Sequence, residues 1–170
     1  MFWFHFIFFF TKIYRMKKQR ILVSACLLGE NCRYDGKNNL VKEIKSLAKY
    51  FDFVPICPEV NGGLKIPRNP AEIQEDSVID CKGRDVTENY FDGAVWAVSI
   101  ANQLNIKIAI LKEKSPSCGV RKIHNGKFDG GLIDGEGFTT KRLKKYGIRV
   151  LSEEDIPALI EEMEAKESAR

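Results

Sequence analysis

The chain has 170 residues, enough for one domain with a hydrophobic core of its own. Its formal charge of +4 is small, so the composition does not suggest binding to macromolecular nucleic acid. Hydrophobic residues make up 44% and charged residues 29%, proportions that exclude a disordered chain. The five cysteines are odd in number and form no CxxC pair, which favours free thiols in a reducing cytoplasm over a disulfide framework.

The first fifteen residues differ in composition from the rest of the chain. They contain eight aromatic side chains, and their apolar run is far shorter than the roughly twenty residues of a membrane-spanning helix. They also lack the charged start and cleavage site of a signal peptide. We therefore interpret residues 1–15 as a non-native or disordered extension, Met16 as the natural start, and residues 16–170 as one domain. The alternative is an aromatic anchor at a membrane surface. No amphipathic segment elsewhere supports it, so we expect no membrane partner.

Beyond Met16 the apolar pattern alternates between strand and helix. It predicts strands over 21–26, 53–57, 106–111 and 148–151, and helices over 40–51, 87–104, 138–146 and 152–163. Thr87 is the expected cap of the second helix, with Phe91 and Val95 on its apolar side, and Ser152 with Asp155 fits a capping box. Residues 58–82 are expected to form a long loop. This order predicts an α/β fold: a three-layer, open, mainly parallel sheet with helices on both faces.

Three cysteines are expected at one edge of this sheet. Cys26 and Cys57 end the first two predicted strands, and Cys118 follows the third. Ligands of open α/β sheets bind outside the carboxyl ends of the strands, so these thiols should converge where such proteins carry their sites. The fold is Rossmann-like, but the chain has neither GxGxxG nor GxxxxGK[ST], which speaks against a dinucleotide enzyme. Cys81 is interpreted as structural, and the role of Cys32 stays open.

Three converging thiols are compatible with several kinds of chemistry. Free cysteine is often a small buried hydrophobe. Structural zinc prefers four ligands and catalytic zinc is most often bound by histidine, of which the chain has only His5 and His124. Thiol redox chemistry favours CxxC. A [4Fe–4S] cluster takes one thiolate per iron, so three cysteines would leave one iron open to a substrate atom. A zinc protein and an iron–sulfur redox carrier or sensor remain alternatives at this point.

Four motifs resemble, in the same order, the signatures of a bacterial and archaeal family long known only as a domain of unknown function, whose characterised members are thiouracil desulfidases. They are Ser24-Ala-Cys-Leu-Leu-Gly29 with Cys32-Arg-Tyr-Asp-Gly36, Cys57-Pro-Glu-Val-Asn-Gly-Gly-Leu64 with Pro67-Arg-Asn-Pro-Ala-Glu72, Gly83-Arg-Asp-Val-Thr87 with Phe91-Asp-Gly-Ala94, and Lys114-Ser-Pro-Ser-Cys-Gly119. The resemblance extends from about Ile21 to Glu153, which is most of the chain.

The resemblance implies an activity and a set of site residues. The family's [4Fe–4S] cluster, with one open iron, would be held by Cys26, Cys57 and Cys118, and its catalytic glutamate and serine match Glu59 and Ser115. The implied reaction is non-redox, hydrolytic removal of sulfur from a small thiolated pyrimidine such as thiouracil. The alternatives are a redox carrier or sensor, which would follow if Cys32 were a fourth ligand, and an enzyme acting on another thiolated nucleobase or nucleotide.

Further polar residues lie in loops at the same predicted edge. Arg33, Tyr34, Arg68 and Ser117 are candidate substrate-binding residues. Tyr34 is able to stack on a base, and Arg68 to meet a carboxylate or phosphate. In the alternative, Arg68 pairs with Glu72. Asp35 lies at the same edge, and its alternative is a turn with Gly36. Asp85 and Thr87 are interpreted as a helix start and Gly93 as a close-packing position. Surface turns are favoured over a position near the site for three acidic residues: Asp129, Asp134 and Glu136.

Overall fold

The structure is a computed structural model that describes residues 18–169. The expected extension over residues 1–15 and the start at Met16 lie outside the described residues. The strands are β1 (Gln19–Ser24), β2 (Phe51–Ile56), β3 (Ala71–Gln74), β4 (Ser77–Asp80), β5 (Ile108–Leu111), β6 (Lys122–His124), β7 (Leu132–Asp134) and β8 (Arg149–Ser152). The α-helices are α1 (Pro58–Asn61), α2 (Thr87–Gln103), α3 (Phe138–Lys145) and α4 (Ile156–Ser168).

The central sheet has four strands in the order β2-β1-β5-β8, and all its pairs are parallel. Strand β1 lies inside the sheet, and its side chains alternate between two hydrophobic clusters. Leu22 belongs to the cluster under α2 and α3, whereas Ile21 and Val23 belong to the cluster on the other face, with Ile156 and Leu159 of α4. The predicted three-layer α/β architecture is therefore confirmed.

The predicted helix over residues 40–51 is shorter and tighter than expected. It is a 3₁₀ helix, Lys42–Lys49, which buries only Ile44 and Leu47. The last helix was predicted through Met163 and extends to Ser168. The capping box is confirmed, because the Ser152 side chain accepts a backbone N–H and the Ser152 N–H donates to Asp155 Oδ2 at 2.7 Å. It opens a short 3₁₀ helix, Glu153–Asp155, that leads into α4.

The prediction of a long loop over residues 58–82 was wrong. The segment contains α1 and the antiparallel hairpin β3–β4, and a second hairpin, β6–β7, was also not predicted. Strands of three or four residues present too few alternations of apolar and polar side chains to be recognised by pattern. Each hairpin contributes one wall to the cavity described below.

Helix α2 begins at Thr87 itself, so Thr87 is not its cap. The Thr87 hydroxyl instead accepts the N–H of Val78 at 2.8 Å and ties the helix to the β3–β4 hairpin. Phe91 and Val95 were expected on the buried side but are exposed. The buried face of α2 is Tyr90, Gly93, Ala94, Ala97, Val98 and Ala101.

Gly93 is a close-packing position, as expected from the sequence. A Cβ at this residue would lie 2.0 Å from the carbonyl oxygen of Pro58, so only glycine lets α2 rest directly on α1. This contact fixes α1, the helix that carries Glu59.

Across residues 18–169, no helix is both long and apolar enough to traverse a bilayer.

Candidate active site

A cavity of about 680 Å³ lies at the carboxyl ends of the parallel strands and brings the three predicted cysteines together. Cys26 follows β1 within a short 3₁₀ helix, Ala25–Leu28, rather than ending the strand as predicted. Cys57 immediately follows β2, and Cys118 lies in the loop after β5. The carboxylate of Glu59 and the hydroxyl of Ser115 line the same cavity.

Cys32 also lies in this cavity and contacts two of the three thiols. The Cys32 thiol, whose single proton can be donated to either neighbour, is the main reason that the pKa of Cys26 is lowered and that of Cys57 is lowered to about 7, although burial opposes both shifts. The Asn39 amide also donates to Cys26 Sγ, at 3.6 Å. The pKa of Cys32 itself is raised because its proton is held by these hydrogen bonds.

Cys118 is the most enclosed of the three thiols. Burial raises its pKa, an effect reduced by a hydrogen bond with Ser24 and reinforced by the negative charges of Glu59, Cys26 and Cys57. Cys118 would therefore give up its proton on binding a metal centre and hold it otherwise.

The donor set suits an iron–sulfur cluster better than a single metal ion. All five cysteines are free thiols. Within residues 18–169, no three His, Cys, Asp or Glu side chains are grouped closely enough to hold a single metal ion. A cubane cluster instead needs thiolates spread over different irons, and soft iron sites favour sulfur ligands. All five cysteines line one largely apolar cavity, and Cys26, Cys57 and Cys118 come to it from three different segments of the chain, as that requirement demands.

Glu59 is surrounded by three hydrogen-bonding side chains. Arg68 binds one carboxylate oxygen, with Nε 2.8 Å and Nη2 2.7 Å from Oε2, and Ser115 Oγ donates to Oε1 at 3.4 Å. The buried hydroxyl of Tyr90 also hydrogen-bonds with Glu59, and the pKa of Tyr90 is raised, chiefly by burial. The expected alternative of an Arg68–Glu72 pair was wrong, because the guanidinium is committed to Glu59.

The pKa of Arg68 is raised despite its burial. Burial alone would lower the pKa, but the charge and hydrogen bonds of the Glu59 carboxylate outweigh it. Arg68 Nη2 also donates to the carbonyl oxygen of Cys32 at 3.0 Å. A single guanidinium therefore joins the carboxylate to the loop that carries Cys32.

The other candidate substrate-binding residues differ in their positions. Tyr34 is partly exposed and lines the cavity, and Arg33, which also lines it, forms two hydrogen bonds to Asp35 at 3.1 Å. The prediction for Ser117 was wrong, because its buried hydroxyl faces Thr139 Oγ1 at 2.9 Å and lies outside the cavity lining. The loop turns the Ser117 side chain inward while its neighbours face the cavity.

Several residues of the cavity were missed by the sequence analysis. Tyr90 was hidden in an apolar helix, and His124 and Phe128 belong to the unpredicted β6–β7 hairpin. Glu72, which is buried, accepts the N–H of Phe128 at 3.1 Å. Cys81, which the sequence analysis interpreted as structural, is exposed and also lines the cavity.

The fold and the cavity together define a parallel α/β protein with a thiol-lined site beside a carboxylate. A family model described as 2-thiouracil desulfurase matches residues 21–155, and the chain belongs to this family. It is 42% identical over 146 residues to the uncharacterized protein YbbK of Bacillus subtilis (strain 168), covering 80% of this chain and 97% of YbbK. It is also similar to the solved structure of the [4Fe-4S]-dependent thiouracil desulfidase TudS, with 41% identity and a TM-score of 0.80 over 87% of this chain and 99% of TudS.

Proposed function

We propose that this protein is a [4Fe–4S]-dependent desulfidase that hydrolyses the carbon–sulfur bond of small thiolated pyrimidines such as thiouracil. The observation that carries the proposal is the position of Glu59, a carboxylate lining the same cavity as Cys26, Cys57 and Cys118. Membership of the 2-thiouracil desulfurase family and the similarity to TudS support the substrate class and the cluster. The free thiols support a reducing compartment, the cytoplasm.

The three cysteines are the proposed ligands of the cluster. When bound there, the cluster supplies soft, Lewis-acidic iron, with one iron left without a protein thiolate and open to the substrate's sulfur. Cys57 is already disposed toward the thiolate form by its pKa of about 7. Cys118 requires the metal to displace its proton, since burial raises its pKa.

Glu59 and Ser115 are the proposed proton-transfer groups. Glu59 accepts a proton from the water that attacks the carbon bearing sulfur, and Ser115, hydrogen-bonded to Glu59, passes a proton toward the departing sulfur. The balance is one thiocarbonyl plus one water giving one carbonyl plus hydrogen sulfide, with no electrons transferred. Arg68 and Tyr90 hold the carboxylate in place and compensate its burial.

Tyr34 is the proposed platform for the pyrimidine ring. Its ring lines the cavity and has the Arg33 guanidinium 5.6 Å from its centroid. Arg33 and Arg68 are already paired with Asp35 and Glu59, so both act on the substrate mainly by positioning other groups. The pyrimidine ring of the substrate would therefore be bound by stacking on Tyr34 rather than by a new ion pair with an arginine.

The test is anaerobic reconstitution with iron and sulfide, followed by iron counting and an assay of uracil release from 2-thiouracil. We expect four irons per chain, uracil release, and loss of both after treatment with a chelator. Protein that binds four irons but releases no uracil from 2-thiouracil would favour the redox carrier. If sulfur is removed only from a thiolated nucleoside or nucleotide, and not from 2-thiouracil, the substrate is a nucleoside or nucleotide rather than a free base.

A further inference from the structure

Glu113 is a buried charged residue at the start of the loop that carries Ser115 and Cys118. It follows β5, and its side chain is only 2% exposed. A carboxylate in such a position needs compensating partners, because an unpaired buried charge is costly. The partners of the Glu113 carboxylate are backbone N–H groups of the loop that follows it.

One oxygen of Glu113 joins the two ends of this loop, which spans residues 114–122. Glu113 Oε1 accepts backbone N–H groups from Lys114 at 3.3 Å, Val120 at 2.9 Å, Arg121 at 3.0 Å and Lys122 at 2.9 Å. The Lys114 N–H also donates to the Lys122 carbonyl at 3.1 Å. A single side chain therefore closes the loop from within.

The backbone beside Glu113 is held in an unfavourable conformation. Lys114 has a φ of 68°, a region that residues with a side chain seldom adopt. Such conformations persist where surrounding contacts enforce them. Here the Glu113 N–H also donates to Glu153 Oε2 at 2.8 Å, so both the side chain and the main chain of Glu113 are anchored.

Closing the loop determines where its functional atoms point. Ser115 Oγ accepts the N–H groups of Ser117 and Cys118, both at 3.1 Å, and the Gly119 N–H donates to the Ser115 carbonyl at 2.8 Å. This compact turn directs Ser115 Oγ at Glu59 and places Cys118 in the cavity.

We propose that Glu113 is a positioning residue, which fixes Cys118 for cluster binding and Ser115 for proton transfer. The inference rests on the proposed function for the roles of those two residues. It concerns an interaction inside the loop, however, and that interaction can be measured without a cluster.

The test compares Glu113→Ala and Glu113→Gln with a matched control, Asp80→Ala. Asp80 is also a buried carboxylate that accepts backbone N–H groups, those of Lys82 and Arg84, but it closes a turn away from this loop. Alkylation of Cys118 by N-ethylmaleimide in cluster-free protein is followed by peptide mass spectrometry and normalised to the alkylation of Cys118 in the same protein unfolded in urea.

We expect Glu113→Ala to accelerate Cys118 alkylation about tenfold to a hundredfold, the equivalent of one lost hydrogen bond to a charged group. Glu113→Gln keeps an acceptor oxygen without the charge and should show a smaller acceleration. Asp80→Ala should match the wild type. After reconstitution, iron content should fall in the order wild type, Gln variant, Ala variant.

Unchanged Cys118 alkylation in the Glu113 variants would overturn the proposal, and so would an equal acceleration by Asp80→Ala. If Glu113→Ala does not fold, Glu113→Gln decides alone: faster alkylation at an undiminished melting temperature supports positioning, and an unchanged rate refutes it. A wild-type protein that releases no uracil would contradict the proposed function while leaving the alkylation result intact.

Discussion

Arg68 forms a buried ion pair with Glu59, its Nη2 lying 2.7 Å from Oε2, with side-chain exposures of only 6% and 15%. In such an environment, removal of one partner leaves the other charge buried and uncompensated. The same guanidinium donates to the Cys32 carbonyl, so it links the proposed proton-transfer group to the loop around the thiols. Arg68 therefore acts on Glu59 rather than on a free anionic substrate.

Replacement of Arg68 by lysine should lower kcat about tenfold to a hundredfold and change KM little. Lysine keeps the charge but lacks the planar fork that reaches both Glu59 and Cys32. Steady-state kinetics on thiouracil separate the two parameters. Arg84→Lys, which changes an exposed guanidinium paired with the buried Asp80 outside the cavity lining, is the control. A raised KM at constant kcat would show that Arg68 binds the substrate directly.

Glu59→Gln should bind four irons yet lose activity by about a hundredfold to ten-thousandfold, the usual contribution of a general acid–base group. The amide keeps the shape of the side chain but accepts no proton. Iron content and uracil release measured on the same preparation check this. Glu136→Gln, on a surface ion pair with Lys144, should change neither quantity. Full turnover by Glu59→Gln would remove Glu59 from the mechanism.

Cys26→Ser should lose most of its iron, whereas Cys32→Ser should keep four irons and still bind thiouracil. A hydroxyl replaces a thiolate poorly on soft iron, and the mechanism requires one iron without a protein thiolate. The contact of Cys32 with Cys26 and Cys57 makes this comparison decisive. Equal iron loss in both variants would mean four protein ligands, which describes a redox carrier or sensor better than a desulfidase.

In cluster-free protein, alkylation of Cys57 should follow a titration with a midpoint near pH 7, since its pKa is lowered to about 7. The main cause is the hydrogen bond from Cys32, so Cys32→Ala should move the midpoint upward toward the ordinary cysteine value of about 8.5. Rates measured with iodoacetamide from pH 5 to pH 10 report the thiolate fraction. An unmoved midpoint would show that Cys32 does not stabilise the Cys57 thiolate.

The convergence of Cys26, Cys57 and Cys118 was predictable because the carboxyl ends of parallel strands share one edge. Other features of the fold and the site depend on tertiary contacts, which a local sequence pattern does not predict. The rotation of α2 is determined by the contact of Gly93 with Pro58, which turns Tyr90 inward and Phe91 outward.

The sequence also did not reveal which carboxylate pairs with Arg68. Glu59 and Glu72 are both close to Arg68 in the sequence, and a long, flexible arginine side chain is able to reach either one. The fold decides between them by fixing the loop, where the Arg68 N–H donates to the Tyr34 carbonyl at 2.8 Å. Glu72 is instead used by the β6–β7 hairpin, whose strands were too short to predict.

Asp155→Asn should destabilise the protein by about 1 kcal/mol at pH 7, and the difference should vanish at low pH. The pKa of Asp155 is lowered: burial raises it, but the Ser152 N–H and the Arg121 guanidinium outweigh burial. A carboxyl group with a lowered folded-state pKa stabilises the protein above its unfolded pKa of about 3.9, and this contribution is lost as the pH falls through the folded value. Urea unfolding from about pH 7 down to about pH 2 measures the effect.

The control for Asp155 is Glu161→Gln, which removes the same charge from an exposed position of α4 and should change stability by no more than about 0.5 kcal/mol at any pH. Arg121 contacts Asp155 through Nη1 at 2.9 Å and Glu113 through Nη2 at 3.7 Å, so this capping box adjoins the loop that carries Cys118. If Asp155→Asn lowers the free energy of unfolding equally at every pH, Asp155 stabilises the protein through hydrogen-bond geometry rather than through its charge.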